Sequence, residues 1–130
     1  MVSIEEIKGI VDDLGIEALE TNSNIAAIAV VSDSGDLIHQ TENIDLTNQT
    51  EMVFNLIQGD QSIIFNDLKF SVVEVNDNGI ITTNEGCMGH MIFAPFEGGV
   101  LLVYAMPKAN PIQVLSILQN YARRLDGKVS

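Results

Sequence analysis

Five short runs of β-favouring residues follow one another between Ser62 and Ala105. The segments between them, NDL, NDNG, NEGCMG and PFEGG, are rich in glycine, asparagine and aspartate, which tight turns require. Strands of this length joined by short turns pair antiparallel with their sequence neighbours. The sequence therefore predicts an antiparallel meander, with strands at 62–65, 69–75, 79–83, 89–93 and 100–105.

Helical periodicity lies on both sides of this meander. Apolar residues recur every three or four positions from Ile4 to Leu14, which predicts a first helix capped by Ser3 and ended by Gly15. A second helix is expected at 46–57, ended by Gly59, and a third after the last strand. An apolar run, the turn sequence SDSGD and the segment LIHQ predict an early hairpin between the first two helices. The predicted class is α+β, with a central antiparallel sheet flanked by N- and C-terminal helices.

Size and charge restrict the organisation and the partners. A chain of 130 residues, 46% of them hydrophobic, suits one domain, so we expect 1–130 to form a single unit. The net charge of −12, with only six basic residues, argues against binding nucleic acid, because phosphate contacts need clustered Lys and Arg. Cys87 is the only cysteine, so no internal disulfide is possible. Acidic residues near the N-terminus differ from a signal peptide, and the apolar runs are too short to span a membrane, so a cytoplasmic protein is expected.

The chemistry-bearing residues do not form a catalytic pattern. His39 and His90 are the only histidines, and neither belongs to an HxxxH or HExxH motif. The chain also lacks GxGxxG and GxxxxGK[ST] phosphate loops, and its carboxylates are scattered over predicted loops. We therefore expect a binding module without enzymatic activity, bound metal or cofactor.

The stretch LKFSVVEVNDNGIITTNEGCMGHMIFAPFEGGVLLVYAMP resembles the C-terminal half of profilins. Upstream, NIAAIAVVSDSGDLIHQ is similar to the early hairpin of that family, and IKGIVDDL to its N-terminal helix. The resemblance covers nearly the whole chain and best fits a divergent, archaeal-type member. It implies a monomeric, cytoplasmic and cytoskeletal protein that binds actin monomers and regulates actin polymerisation.

The resemblance also implies an actin-binding face made of three strands and the corner before the last helix. Pro107 and Pro111 would stiffen that corner, since proline fixes φ near −65°. Glu74, Thr82 and Asn84 stand where related profilins often carry basic residues, so weaker binding to a foreign actin is expected. The positions carried over are Lys69, Ser71, Val73, Glu74, Thr82, Asn84, Ile92, Ala94, Asn110, Gln113, Val114 and Ile117.

Two further family properties are expected to be weak or absent. Profilins hold proline-rich peptides on an aromatic ledge between the terminal helices, but the matching positions here are Ile7, Ile10, Ile38 and Tyr121, and the chain has no Trp. Binding of such peptides should be weak or absent, and core packing is the simplest role for Ile7 and Ile10. Phosphoinositide binding would use Arg123, Arg124 and Lys128 against a repulsive overall charge, so it is not expected, and these cations also suit the end of a helix.

Two alternatives remain open at the level of sequence. A roadblock or longin-like domain, which serves small GTPases as a dimeric platform, also packs helices on an antiparallel sheet, and a stable dimer would favour it. A sensor-type domain could instead hold a small ligand near the soft side chains of Cys87, Met88 and Met91, although these residues can equally pack or lie in a turn.

Overall fold

The structure is a computed structural model that describes residues 4–47, 49–77 and 79–129. It confirms the predicted α+β class, with one antiparallel sheet flanked by the terminal helices. The helices are α1 Ile4–Glu20, α2 Glu51–Ile57 and α3 Pro111–Leu125. The strands are β1 Ile25–Ser32, β2 Leu37–Gln40, β3 Ser62–Phe65, β4 Leu68–Asn76, β5 Gly79–Asn84, β6 His90–Phe96 and β7 Gly99–Ala105.

The seven strands form one sheet in the order β2-β1-β7-β6-β5-β4-β3. Strands β3 to β7 are neighbours in sequence and in space, so the predicted meander is confirmed, and the early hairpin adds to it through β1 against β7. Pro95 was expected in a turn but lies in β6 opposite Val100. The pairing of β5 with β6 ends at Ile80 and Phe93, so Pro95 lies in the part of β6 that extends beyond β5.

The sheet has two buried faces with different covers. On the side that we call the helix face, Ile92 and Val103 pack beneath α1 and α3. On the opposite side, the loop face, Phe93 and Leu102 pack against α2 and the segment before it. The alternation of side chains along each strand produces this division.

Helix α1 continues one turn beyond the predicted end at Gly15. The helical spacing of its buried stripe extends from Leu14 to Ala18, which is 5% exposed, and this packing outweighs the low helix propensity of glycine. The helix ends where Asn22 adopts a positive φ of 52° and the Ser23 amide donates to the Ala18 carbonyl at 3.1 Å. The predicted cap, Ser3, lies outside the described residues.

Helix α2 begins at Glu51, five residues later than predicted. Leu46 is fully buried on the loop face, but it reaches the core from irregular backbone rather than from a helix. Its amide donates to the Gln40 side chain at 2.9 Å, which holds that segment to β2. The predicted end at Gly59 is confirmed, since Gly59 has φ +119° and the Asp60 amide donates to the Asn55 carbonyl.

Helix α3 runs back across the sheet from the end of β7. It starts six residues after Ala105, and the segment after its C-terminal end reaches the β6–β7 turn, where the Gly127 amide donates to the Glu97 carbonyl at 3.1 Å. A Cβ on Gly98 would lie 2.2 Å from the Val129 carbonyl oxygen, so glycine permits this close approach. The N-terminus of α3 lies at the end of the sheet where β7 finishes and β6 begins.

Candidate protein-binding face

The outer strands of the meander extend past the helices on the helix face. Helix α3 packs on β5, β6 and β7, while α1 packs on β1, β2 and α3. On β3, Ile64 is 66% exposed, and Lys69 and Glu74 on β4 are also exposed. This uncovered part of the sheet lies next to the start of α3, and together they form an accessible surface.

The strand register places a row of polar and apolar side chains across this surface. Ser71 is paired with Thr83 and Thr83 with His90, while Lys69, two residues before Ser71, is paired with Ile64. Cross-strand partners point to the same side of a sheet. Thr83 follows the helix-face residue Ile81 by two positions, so the residues paired in line with it face the same way as α3.

His90 connects this row to the corner between β7 and α3. Its Nδ1 lies 2.9 Å from the Thr83 hydroxyl, and the imidazole also hydrogen-bonds to the Pro107 carbonyl. Partial burial lowers the pKa of His90 below its usual value, against the opposing effect of the hydrogen bond to Pro107, and this favours the neutral ring. The corner is further held by the Met106 amide, which donates to the Asn24 carbonyl at 2.8 Å.

The first turn of α3 completes the surface. Asn110 caps the helix, accepting hydrogen bonds from the amides of Ile112 at 3.1 Å and Gln113 at 3.3 Å, and Pro111 follows at the first helical position. This geometry leaves Ile112 65% exposed beside the exposed Gln113. A stiff, capped helix start thus presents an apolar side chain to solvent.

Two positions carried over from the family point to the wrong face. Thr82 is fully buried, and its hydroxyl donates to the Met91 carbonyl at 2.9 Å. Asn84 is 8% exposed and stabilises the following loop by accepting from the Gly86 amide at 2.8 Å. Because side chains alternate along a strand, Thr83 occupies the helix face where Thr82 was expected. Thr82 and Asn84 are therefore excluded from direct contact with a partner.

Four other carried-over positions are buried between the sheet and α3, two on β6 and two on the inner side of the helix. Ile92, Ala94 and Val114 are fully buried in the helix-face core, and Ile117 is 8% exposed. They support the surface from below and cannot contact a partner in this fold. The surface that we call the strand-and-corner face consists of five of the remaining predicted residues and four that the sequence did not indicate. These are Lys69, Ser71, Glu74, Asn110 and Gln113, together with Ile64, Thr83, His90 and Ile112. Val73 is 62% exposed at the β-bulge where the register of β4 against β5 shifts, and it is not counted in this face.

The terminal helices bury the residues that would form a peptide-binding ledge. Ile7 is fully buried and Ile10 is 6% exposed, so their predicted role in core packing is confirmed. Ile38 packs against the same cluster while half-buried. Tyr121 is 7% exposed, and its hydroxyl donates to the Glu17 carboxylate at 2.9 Å. The chain therefore offers no open aromatic ledge at these positions, and weak or absent binding of proline-rich peptides stays a prediction.

The basic residues of α3 and its C-terminal extension are engaged in part by acidic residues of α1. Arg124 forms an ion pair with Asp13 at 2.7 Å, and its guanidinium lies 5.2 Å from the Tyr121 ring centre. Lys128 pairs with Glu6 at 2.6 Å. Arg123 is exposed, and the described residues show no ion pair for it. Little positive charge is therefore available for a phosphoinositide headgroup, and the absence of phosphoinositide binding stays a prediction.

The soft side chains do not come together into a pocket. Met91 is fully buried in the loop-face core, whereas Cys87 and Met88 are exposed in the loop before β6. Within 4–47, 49–77 and 79–129, no group of three or more His, Cys, Asp or Glu residues could hold a metal ion. None of the helices in those ranges is long and apolar enough to cross a membrane.

Comparisons with known proteins point to one family. The sequence is 32% identical to Loki profilin-2 of Lokiarchaeum sp. (strain GC14_75), over 93% of this chain and 96% of that protein. It is 31% identical to Odin profilin of Odinarchaeota yellowstonii (strain LCB_4), over 80% of this chain and 87% of that protein. No protein-family model matches the sequence.

Solved structures agree with these relatives. The Loki profilin-2 chain in a complex with rabbit actin superposes with a TM-score of 0.82 at 32% identity, covering 93% of this chain and 96% of that one. Schizosaccharomyces pombe profilin superposes with a TM-score of 0.65 at 18% identity, covering 82% and 88%, and supports the fold alone. The roadblock or longin-like alternative is not favoured. Similar to archaeal profilins along nearly its whole length, this chain belongs to the profilin family.

Proposed function

We propose that this protein binds actin monomers through the strand-and-corner face and thereby regulates actin polymerisation. Both Loki profilin-1 and Loki profilin-2 have been solved as complexes with rabbit actin, and this chain superposes on them with TM-scores of 0.84 and 0.82. The protein acts by binding, without enzymatic turnover, and works in the cytoplasm as part of the cytoskeleton.

The single observation that carries the proposal is the exposure of two large aliphatic side chains on one surface. Ile64 is 66% exposed and Ile112 is 65% exposed in the isolated chain. Large exposed aliphatic groups with polar neighbours are typical of protein interfaces, which have an apolar centre and a polar rim. Lys69 and Gln113 supply part of that rim.

The fixed geometry of the face favours binding. The Asn110 cap and the contacts of His90 hold the corner before a partner arrives. A preorganised surface loses less conformational entropy on association than a flexible one.

We expect the charge of this face to attract an acidic partner less strongly than the face of profilins that carry basic residues there. Lys69 is opposed by Glu74 on the same strand, and the whole chain carries −12. An acidic partner would therefore be attracted weakly, and association would be slower than with a basic face.

The proposal is tested by the spontaneous polymerisation of rabbit actin monomers with increasing amounts of the protein. Dose-dependent slowing is expected, and Ile64→Asp should abolish it. Ile57→Asp is the matched control, because Ile57 is 42% exposed on α2, away from the face, and it should slow polymerisation as the wild type does. An unchanged polymerisation rate at large excess of protein would contradict the proposal.

The oligomeric state provides a second check. The actin-binding proposal predicts that the protein alone sediments as a monomer, whereas a roadblock-like platform would form a stable dimer. Sedimentation velocity at micromolar concentration distinguishes the two.

A further inference from the structure

A cavity of about 200 Å³ opens on the loop face, on the side of the sheet opposite α1 and α3. It lies between β1, β7, the tip of the β3–β4 hairpin and the segment after β2. The residues that line it are Ala27, Asn43, Ile44, Phe65, Asn66, Leu68, Phe70 and Tyr104.

The lining is rich in aromatic side chains. Phe65, Phe70 and Tyr104 all contribute, in a chain where aromatic residues are only 5% of the total. The lining residues include no charged side chain. The Asn43 amide donates to the Ala26 carbonyl and accepts from the Thr41 hydroxyl, so both of its ends already have partners. The interior therefore suits an apolar group.

Two walls of the cavity are fixed by local structure that does not involve an occupant. The Tyr104 hydroxyl donates to the Met88 carbonyl, which fixes the ring at one wall. Asn66 and Asp67 form a tight turn with φ of 51° and 64°, which fixes the hairpin tip at another. These contacts hold two walls of the cavity in place without an occupant.

We propose that this cavity binds one planar aromatic group, of benzene to indole size. An apolar protein cavity of about 150 Å³ is large enough for benzene, so about 200 Å³ leaves room for a substituted or fused ring. Aromatic walls favour a planar ring through edge-to-face and stacked contacts, which an aliphatic ring of equal size cannot make fully. The site lies on the face of the sheet opposite the strand-and-corner face, so it stands or falls separately from actin binding.

Binding is measured by amide chemical-shift titration of the ¹⁵N-labelled full chain with indole and, as a matched pair, phenol and cyclohexanol. Saturable shifts are expected at Phe65, Phe70 and Tyr104 with indole and phenol, at concentrations on the order of millimolar. Cyclohexanol should bind at least several-fold more weakly. Equal binding of the two alcohols, or no shift at these amides with indole, would overturn the proposal.

A cavity-filling variant gives the second test. Ala27→Val places two methyl groups into the cavity and should weaken indole binding at least tenfold. Ala26→Val is the control, because Ala26 immediately precedes Ala27 on the same strand and does not line the cavity. If Ala27→Val fails to fold, the wild-type shift map decides: shifts spread over the surface instead of the cavity refute the site.

The source of the ring is resolved by a further titration. A Gly-Trp-Gly peptide presents the same indole on a chain, as a partner protein would. Shifts at the same amides with the peptide would identify the ligand as an aromatic side chain, and shifts with free indole alone would identify a small molecule.

Discussion

Replacement of Ile112 by alanine should weaken actin binding without affecting the fold. Ile112 is the most prominent apolar side chain at the start of α3 and is 65% exposed in the free protein. Alanine keeps the helix, since it has the highest helix propensity. The substitution therefore removes contact surface alone.

The size of the effect follows from the exposed fraction. Ile→Ala removes three carbon atoms, each worth about 0.8 kcal/mol when fully buried. A partner that covers the 65% exposed surface of Ile112 would gain about 1.6 kcal/mol from them. Because 1.4 kcal/mol is a factor of ten, the dissociation constant should rise about 15-fold.

The assay is a titration of fluorescently labelled rabbit actin monomers with wild type and variant. Ile16→Ala is the matched control, since Ile16 is 55% exposed on α1 and lies outside the strand-and-corner face. The control should bind as the wild type does. An unchanged dissociation constant for Ile112→Ala, or an equal loss in Ile16→Ala, would refute the placement of the face.

Four other predictions concern stability and the remaining surfaces. Asn110→Ala should lower the free energy of unfolding by about 1 kcal/mol through loss of the α3 cap, whereas Asn120→Ala, in the exposed middle of the same helix, should not, as measured by urea denaturation. Ile92→Asp should prevent folding, because it places a carboxylate at a fully buried position; a cooperative urea transition like that of the wild type would contradict this. Burial lowers the pKa of His90, so the folded protein binds this proton less readily than the unfolded chain does. The resulting stability is present above about pH 6.5 and is lost as the pH falls through the lowered pKa. His90→Gln should therefore lose less stability than the wild type between pH 7 and 5, and equal losses in the two proteins would show that His90 is not responsible. A decaproline peptide should cause no saturable change in tyrosine fluorescence, because Tyr121 is 7% exposed, and micromolar binding at that helix pair would contradict the reading.

The sequence predicted the elements of the fold where local signals agree with tertiary packing. The five runs between Ser62 and Ala105 became five strands, because turn residues and β-branched residues alternate there without conflict. Predicted ends failed where packing overrode propensity. Gly15 is a weak helix residue, but the stripe continued through Ala18 and carried α1 another turn. Leu46 stands at helical spacing from the buried residues of α2, yet it reaches the core from a loop. The periodicity of its own segment does not indicate this.

The candidate face was predicted less well, for two physical reasons. One residue of error in strand register exchanges the two faces, which placed Thr82 on the surface in place of Thr83. Val114 belongs to the same helical stripe as Leu118 and Tyr121, so its burial was available from the sequence and conflicted with its assignment to the face. Ile112 could have been found from the same helical pattern, because it lies off that stripe. Ile64 could not, since exposure at the end of the sheet depends on how far α3 extends.

Hydrogen–deuterium exchange of the protein with and without rabbit actin monomers tests most directly whether actin binds the strand-and-corner face. Backbone amides that a partner covers exchange more slowly, and the effect is read along the whole chain. Binding at this face should slow exchange in β4 and in the first turn of α3 and leave exchange in α2 and β2 unchanged. Protection confined to α2 or β2, or a stable complex that leaves β4 and the start of α3 unprotected, would contradict it.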